Sequence, residues 1–461
     1  MNEVGGHSRI TNHLFYWVAG ACGLATGVVG AAFHLAVDHL LRWPDWLVDR
    51  MGAGPLTIAT GAAVAAVGVT LAWLLTHYVA PETAGSGVPE VEGALDGVRE
   101  VRWRRVLPVK FVGGVLALSS GLVGGREGPT IHIGASIGAA LAEWLRLDKM
   151  DFHALLAAGA AAGLAAAFNA PLAAVLFVIE ETRKQFRYTF RSYVAVIVAS
   201  AASAFGMELV GGAAPQLRID TDALPLVLLP TFMLLGAVLG VLGLAFNKTL
   251  VMALDWRTKA FARVPFLYPM LVGAAVGVLA FVLPMAVGGG ETLIPDLPLA
   301  NLPMQTLLLL AVVRFVGTMA SYPAGVPSGI FSPMLTLATT VGMIFGLLVE
   351  MALVSSPLAV PPLVAAAFAV SAMGGLFSST IRAPLVGVVL AVELTGAFEL
   401  ILPLMVTCVT SHVVAQVLGG RPIYEVLLER SMRLAGEVPR ARSEATSSPV
   451  GIDEPPRPDT R

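Results

Sequence analysis

The sequence predicts an all-α polytopic membrane protein, and three features lead to that fold class. Of the 461 residues, 56% are hydrophobic and 13% are charged, whereas a soluble domain carries about 25% charged residues. The mean hydropathy is +0.79, and apolar runs near or above the roughly 20 residues of a spanning helix fill most of the chain. With 48 glycines and 30 prolines, these helices are expected to break, tilt and pack closely inside the membrane.

Composition also excludes several classes of protein. The formal net charge is -2, and no basic patch outweighs the apolar signal, so no nucleic-acid partner is expected. The two cysteines, Cys22 and Cys408, match no metal or redox spacing. We therefore expect neither a cytosolic enzyme nor a secreted module, no metal and no cofactor.

The apolar runs define one transmembrane region with polar segments on either side. Residues 1–13 are polar and form no signal-peptide pattern. The membrane domain is predicted for residues 14–430, and residues 431–461 are expected to form a disordered polar tail. The runs do not alternate as the strands of a membrane barrel would. They cover residues 14–41, 53–80, 106–125, 129–146, 153–181, 191–212, 223–254, 266–289, 303–320, 329–354, 361–395 and 399–419.

Clustered charges predict the orientation of these spans. The positive-inside rule places basic connections on the cytoplasmic side, and we expect both termini there. Residues 284–302 contain Glu291 and Asp296 but no Lys or Arg, which favours the outside. The basic clusters are Arg99, Arg102, Arg104, Arg105 and Lys110, then Arg183, Lys184, Arg187 and Arg191, then Arg257, Lys259 and Arg263.

The chain contains an internal repeat. The stretch from Pro171 to Glu180 matches the stretch from Pro384 to Glu393 at a constant offset of 213 residues. A second match relates 125–129 to 329–333 at an offset of 204, with Gly138 matching Gly342. Two matches in the same order predict two structurally related halves, about 14–212 and 223–420. In transporters such halves are often inverted, with a site at their junction built from broken helices.

Three short Gly/Pro segments each open an apolar, helix-like run. Proline suits the first turn of a helix because its missing N–H would have had no partner there. A helix N-terminus presents unpaired N–H groups and about half a positive charge. Three such ends meeting at one point would bind an anion without a basic side chain, whereas a single segment would merely kink a span. The segments are Gly85-Ser86-Gly87-Val88-Pro89, Gly125-Arg126-Glu127-Gly128-Pro129 and Gly329-Ile330-Phe331-Ser332-Pro333.

Glu127 is a carboxylate inside the second segment. Acids within a membrane are rare and usually functional. The alternative is a structural ion pair with Arg126, although neighbours in sequence rarely face each other on a helix. A carboxylate at a helix start is also an anion mimic, so Glu127 is a candidate functional group.

Glu180 and Glu181 end an apolar stretch before Thr182-Arg183-Lys184. They could form a cytoplasmic cap that pairs with those bases. However, carboxylates at a helix C-terminus oppose the macrodipole, which favours proton binding. Glu180 has a counterpart in Glu393 and is expected to belong to the shared architecture. Glu181 corresponds to Leu394, so it is the asymmetric addition.

In these motifs the chain closely resembles the CLC family of chloride channels and chloride/proton antiporters. The resemblance spans about residues 14–430, and the joint occurrence of the motifs in the family's order is highly specific. It rests on the three segments above, the Glu180-Glu181 pair and Arg421-Pro422-Ile423-Tyr424. Val88 and Ser332 differ from many relatives, but neither change removes a coordinating group.

The resemblance implies a chloride site and two proton-carrying glutamates. Ser86 and Tyr424 would hold a central chloride, and backbone amides at Ile330 and Phe331 would complete the site. Glu127 would be both gate and external proton acceptor. Glu181 would be the internal proton glutamate, which passive channels of the family lack. The resemblance also implies that Ser86 favours chloride, because nitrate-preferring relatives carry proline there.

Two other patterns favour ordinary structural roles. Gly134-Ala135-Ser136-Ile137-Gly138 fits a nucleophile pattern, with His132, His153 or His412 as a base, but that motif needs a strand–turn–helix setting. Glycines at this spacing are typical of helix packing. His34, His39 and His77 lie near the ends of apolar runs and show no metal spacing.

We therefore expect a homodimeric, multi-pass antiporter in a bacterial inner membrane that exchanges chloride for protons. Its partners would be chloride, protons, membrane lipid and a second copy of the chain. The alternative is a passive, voltage- or pH-gated chloride channel of the same fold.

Overall fold

The computed structural model describes residues 10–182, 189–211, 217–219, 221, 224–300, 302–353 and 363–436. These residues form eighteen α-helices and no β-strand; two isolated bridges are the only extended pairings in this part of the chain. The helices are α1 (Asn12–Leu40), α2 (Trp43–Met51), α3 (Pro55–Val79), α4 (Val88–Leu95), α5 (Trp103–Ser119), α6 (Glu127–Trp144), α7 (Lys149–Phe168), α8 (Pro171–Thr182), α9 (Phe190–Gly211), α10 (Leu229–Ala260), α11 (Leu267–Val282), α12 (Leu293–Asp296), α13 (Met304–Ser321), α14 (Phe331–Leu353), α15 (Val364–Ile381), α16 (Pro384–Thr395), α17 (Ile401–Val417) and α18 (Ile423–Leu434).

The predicted all-α polytopic architecture is confirmed. In the described residues, nine helical segments are long and apolar enough to cross a membrane. Helices α1, α3, α10 and α17 expose large apolar side chains. Exposed apolar faces of this kind are suited to contact with membrane lipid. Helix α15 is buried along its whole length, and α7 is nearly so. The interior of the protein is therefore also helical, and short helices end inside it.

Two of the long apolar runs break, as expected, at equivalent positions. The run 153–181 divides into α7 and α8, and the run 361–395 divides into α15 and α16. Asn169 and Arg382 end the first helix of each pair with φ angles of 51° and 77°. Proline opens the second helix at Pro171 and Pro384, where a missing N–H does no harm. The breaks have the 213-residue offset of the repeat, so backbone conformation follows the sequence match.

Contacts between the halves show that they are inverted. Glu180, near the C-terminal end of α8, accepts a hydrogen bond from the Val386 amide in the first turn of α16 at 3.1 Å. Glu393, near the end of α16, accepts hydrogen bonds from the first-turn amides Leu172 and Ala173 of α8 at 3.0 and 2.7 Å. The repeat-related helices therefore lie antiparallel, each with its C-terminal acid at the other's N-terminus.

The match between Gly138 and Gly342 has a packing cause. A Cβ atom at Gly138 would overlap the carbonyl oxygen of Leu155, where α6 crosses α7. A Cβ atom at Gly342 would lie 2.5 Å from the carbonyl oxygen of Phe368, where α14 crosses α15. Both helix pairs touch backbone to backbone, which only a small residue permits.

Helix α1 begins at Asn12 and α18 ends at Leu434. The bounds of the membrane domain at residues 14–430 stay a prediction. Residues 1–9, the predicted tail from residue 437 onwards, and Arg183, Lys184 and Arg187 of the second basic cluster lie outside the described residues.

Candidate functional site

The three Gly/Pro segments meet at one point inside the protein. The Gly85 amide donates to the Val326 carbonyl at 3.0 Å, and the Ser328 amide donates to the Gly85 carbonyl at 3.2 Å. Gly125 and Gly329 exchange two backbone hydrogen bonds, at 2.8 and 2.7 Å. Segments from both halves of the chain are therefore fixed against each other by their backbones.

Glycine is required where the first segment meets the second. Gly87 has a φ of 86°, and a Cβ atom there would lie 2.5 Å from His132 Nδ1. A Cβ atom at Gly128 would lie 2.6 Å from Ser86 Oγ and 2.7 Å from Ser86 Cα. No larger side chain fits at either position without moving backbone. The glycines thus bring Ser86 directly against the start of α6.

Three helices start at these segments, as the sequence predicts. Helix α4 begins at Val88, α6 at Glu127 and α14 at Phe331. A fourth helix, α18, begins at Ile423 and carries Tyr424 in its first turn. The Tyr424 ring packs edge-on against Phe331, with ring centroids 5.9 Å apart at 82°. Converging N-termini make the site electropositive without a basic side chain.

The hydroxyl groups of Ser86 and Tyr424 are buried without a hydrogen-bond partner. Both residues are 1% exposed, and the two hydroxyls approach each other without reaching hydrogen-bond geometry. Ile330 and Phe331 beside them are equally buried. A buried hydroxyl without a partner carries a free-energy penalty of about 1–3 kcal/mol. Two donors directed into one dry site are suited to an anion.

Glu127 lies in the same place and is fully buried. Neither of its carboxylate oxygens has a hydrogen-bond partner. A Cβ atom at Gly125 would overlap Oε2, and one at Gly329 would lie 3.1 Å from it. The carboxylate therefore occupies the space between the backbones of the second and third segments, where a small anion would also fit.

Arg126 does not pair with Glu127. Its guanidinium donates to Glu291 Oε2 at 2.8 Å and to Asp38 Oδ2 at 3.3 Å. The alternative of a structural Arg126–Glu127 ion pair is therefore wrong, because Arg126 pairs with Glu291 and Asp38 and both Glu127 oxygens lack a hydrogen-bond partner. Arg126 instead ties α6 to α1 and to the loop after α11.

Lys110 corrects the predicted basic clusters. Its ammonium is fully buried rather than cytoplasmic, and it donates to the carbonyls of Thr83 and Gly85 at 2.9 and 2.7 Å. Helix α5 directs this side chain behind the first segment, where it satisfies carbonyls that turn away from the site. The sequence feature that indicates this buried position is that Lys110 lies within the apolar run 106–125.

Arg314 is a second buried cation, on α13. It donates to the carbonyls of Met285 and Val287 at 3.1 and 3.4 Å and to that of Gly288 at 3.4 Å. Nothing in the sequence pattern singles it out except its place in the apolar run 303–320. It holds the loop that carries Glu291 beside the site.

Glu181 is not part of the three segments. It lines a cavity of about 330 Å³ near the C-terminal end of α8, and it acts electrostatically on Tyr424. The other polar groups that line the cavity are Glu92, Glu180, Arg382, His412, Gln416, Arg421 and Glu425. The proposed bases Arg183 and Lys184 lie outside the described residues. Glu181 thus borders a polar cavity to which Pro422 and Glu425, close to Tyr424 in the chain, also contribute.

The nucleophile-like pattern is part of an ordinary helix. Ser136 lies inside α6 and donates to the carbonyl of His132 one turn earlier, at 2.7 Å. This is not the strand–turn–helix setting that the motif needs. In the described part of the chain, no group of three His, Cys, Asp or Glu residues has the arrangement of a metal site.

Known sequences resemble this chain over most of its length. The sequence profile described as "Voltage gated chloride channel" matches residues 68–416. The H(+)/Cl(-) exchange transporter ClcA of Vibrio cholerae serotype O1 is 43% identical over 419 residues, covering 89% of this chain and 88% of that protein. The H(+)/Cl(-) exchange transporter ClcA of Salmonella arizonae is 38% identical over 447 residues, covering 93% and 91%.

Solved structures give the same result for the fold. A slow cyanobacterial Cl-/H+ antiporter superimposes with a TM-score of 0.87 at 35% identity, covering 93% of this chain and 100% of that chain. A CLC-type fluoride/proton antiporter superimposes with a TM-score of 0.70 at 20% identity, covering 88% and 96%. The second likeness concerns the fold alone.

Proposed function

The chain belongs to the voltage gated chloride channel (CLC) family, and we propose that it works as an antiporter through the site formed by its three Gly/Pro segments. It exchanges chloride for protons across the membrane. The observation that carries the mechanism is the position of two carboxylates, with Glu127 inside the candidate anion site and Glu181 on a separate polar cavity.

Chloride binds between Ser86 and Tyr424 in this proposal. Both hydroxyls are buried, without partners and near one another. The backbone at Ile330 and Phe331, at the start of α14, completes the site. The donors assigned to the ion among the described residues are hydroxyls and backbone amides rather than charged side chains, which favours binding weak enough for the release that transport requires.

Glu127 is the gate and the external proton acceptor. When charged, its carboxylate competes with chloride for the space between Gly125 and Gly329. When protonated, it loses its attraction for the electropositive helix ends and leaves that space to the anion. The same side chain therefore responds to both ions.

Glu181 is the internal proton glutamate. The cavity beside it supports exchange with water, and its electrostatic interaction with Tyr424 supports a link to the anion site. Glu180 instead has a structural role, since it accepts from Val386 as Glu393 accepts from α8. A passive chloride channel of the same fold is the alternative, and the acid at position 181 favours the antiporter.

The proposal extends to the protein's surroundings. We propose that it is a homodimer in a bacterial inner membrane, with lipid around its exposed apolar helices. The end that carries Arg102, Arg104 and Arg105 would face the cytoplasm, together with both termini. No cofactor enters any step.

Reconstituted flux tests the proposal. Liposomes with a chloride gradient and no proton gradient are expected to show protons moving uphill, in the direction opposite to chloride. Chloride flux without proton movement would favour the channel. Negative-stain images or cross-linking of purified protein would test the dimer separately.

A further inference from the structure

Glu291 is a carboxylate next to the gate with no part in the mechanism so far. Its Oε2 accepts from Arg126 at 2.8 Å, while its Oε1 is buried without a hydrogen-bond partner. It interacts electrostatically with Glu127, the residue that follows Arg126 in the chain. Arg126 is thus flanked by Glu291, which it contacts, and Glu127, which it does not.

The other charged groups around Glu291 are few. Asp38 and His34 on α1 face Arg126, and Arg314 on α13 approaches from the other side. Asp38 contacts the same guanidinium at 3.3 Å, but its side chain is 51% exposed against 16% for Glu291. Water and salt screen an exposed charge much more than a buried one. Glu291 is therefore the negative charge with the greater effect on Glu127.

The loop of residues 288–290, which consists of three glycines, holds Glu291 in place. Gly288 and Gly290 have φ angles of 67° and 87°, and Thr336 donates to the Gly289 carbonyl at 3.0 Å. Burial is the largest single effect and opposes ionisation of Glu291, but the Arg126 ion pair and the nearby hydrogen-bond donors together outweigh burial and lower the pKa of Glu291 below its ordinary value. The group therefore stays charged at neutral pH.

We propose that Glu291 is a positioning residue that sets the external pH at which Glu127 takes up its proton. Alone, the charge of Arg126 would favour ionised Glu127 and keep the gate in the anion site. The negative charge of Glu291 offsets the positive charge of Arg126. It also disfavours ionisation of the Glu127 carboxyl directly, because two negative charges repel each other. Both effects make protonation of Glu127 possible at a less acidic pH. The inference rests on the proposed role of Glu127.

Variants of the two carboxylates on Arg126 test this. Wild type, Glu291→Gln, Glu291→Asp and Asp38→Asn would be reconstituted, and chloride and proton flux measured over a series of external pH values at fixed internal pH. For Glu291→Gln, the pH of half-maximal flux is expected to move by about one unit towards acid. In Glu291→Asp the shorter side chain keeps the negative charge but places it farther from Arg126 and Glu127. This variant should therefore give a smaller shift in the same direction. Asp38→Asn should shift the midpoint least.

Each outcome bears on the proposal. An unchanged midpoint in Glu291→Gln, with or without lower maximal flux, would mean that Glu291 only supports its loop, and the inference would fail. An equal shift in Asp38→Asn would assign the effect to the net charge around Arg126 rather than to Glu291, and would also overturn the inference. If Glu291→Gln does not fold, the midpoint of Glu291→Asp decides. Wild type that moves no protons uphill would instead contradict the proposed function.

Discussion

Replacing Tyr424 tests the proposed chloride site most sharply among single positions. The side chain is 1% exposed, its hydroxyl has no hydrogen-bond partner, and its ring packs edge-on against Phe331. Tyr424→Phe removes only the hydroxyl and retains the ring. Tyr424→Ala removes both the hydroxyl and the ring.

The magnitudes follow from these contacts. A hydrogen bond to a charged group contributes about 1.5–3 kcal/mol, which corresponds to about a 10- to 150-fold change in dissociation constant. Both variants lose the hydroxyl, so both are expected to weaken chloride binding within this range. Tyr424→Ala should also loosen coupling, because it removes the ring that packs against Phe331, whereas Tyr424→Phe should keep protons and chloride coupled.

Titration calorimetry of chloride into purified protein gives the affinity, and parallel flux from liposomes gives the coupling. Thermal unfolding of each variant checks that it is folded. Chloride affinity and coupling that both remain unchanged in Tyr424→Ala would refute the assignment of Tyr424 to the site.

Two further predictions concern selectivity and architecture. Ser86→Pro should shift preference from chloride towards nitrate, measured as nitrate- and chloride-driven proton uptake; wild type that couples nitrate better than chloride would contradict the role of Ser86. Glu393→Ala should lower the free energy of unfolding by about 1–2 kcal/mol, since two first-turn amides of α8 lose their acceptor. Glu393→Gln should lower it less, and equal melting temperatures for wild type and Glu393→Ala would rule out the capping role.

Much of the fold could be predicted because local chemistry determines it. A helix can begin at Pro171 or Pro384, but the preceding helix cannot run through either proline, so the general expectation of broken helices has a local cause at these two positions. The matching glycines at 138 and 342 follow from the need for close helix crossings. Glu180 and Glu393 match in sequence because each caps the other's helix, and the structural role expected for Glu180 agrees with this contact.

Pairings between distant residues could not be predicted in the same way. The positive-inside rule predicts a cytoplasmic position for Lys110, because it counts charges near a span and ignores which face of the helix carries them. Arg126 and Glu291 are 165 residues apart, and only the folded loop after α11 brings them together. Arg314 is recognisable in the sequence as a lone charge in an apolar run, but its carbonyl partners are not.

The most direct test of the mechanism compares glutamine at three acids in one flux assay. Glu127→Gln should abolish proton movement while chloride still flows, because the neutral side chain mimics the open gate and carries no proton. Glu181→Gln should also stop proton movement, while chloride flux still responds to external pH through Glu127. Glu180→Gln is the matched control and should still pump protons, because its amide oxygen can still accept from Val386. Uphill proton transport that persists in Glu181→Gln and is lost in Glu180→Gln would reverse the assignment, and persistence in both would place the internal proton path elsewhere.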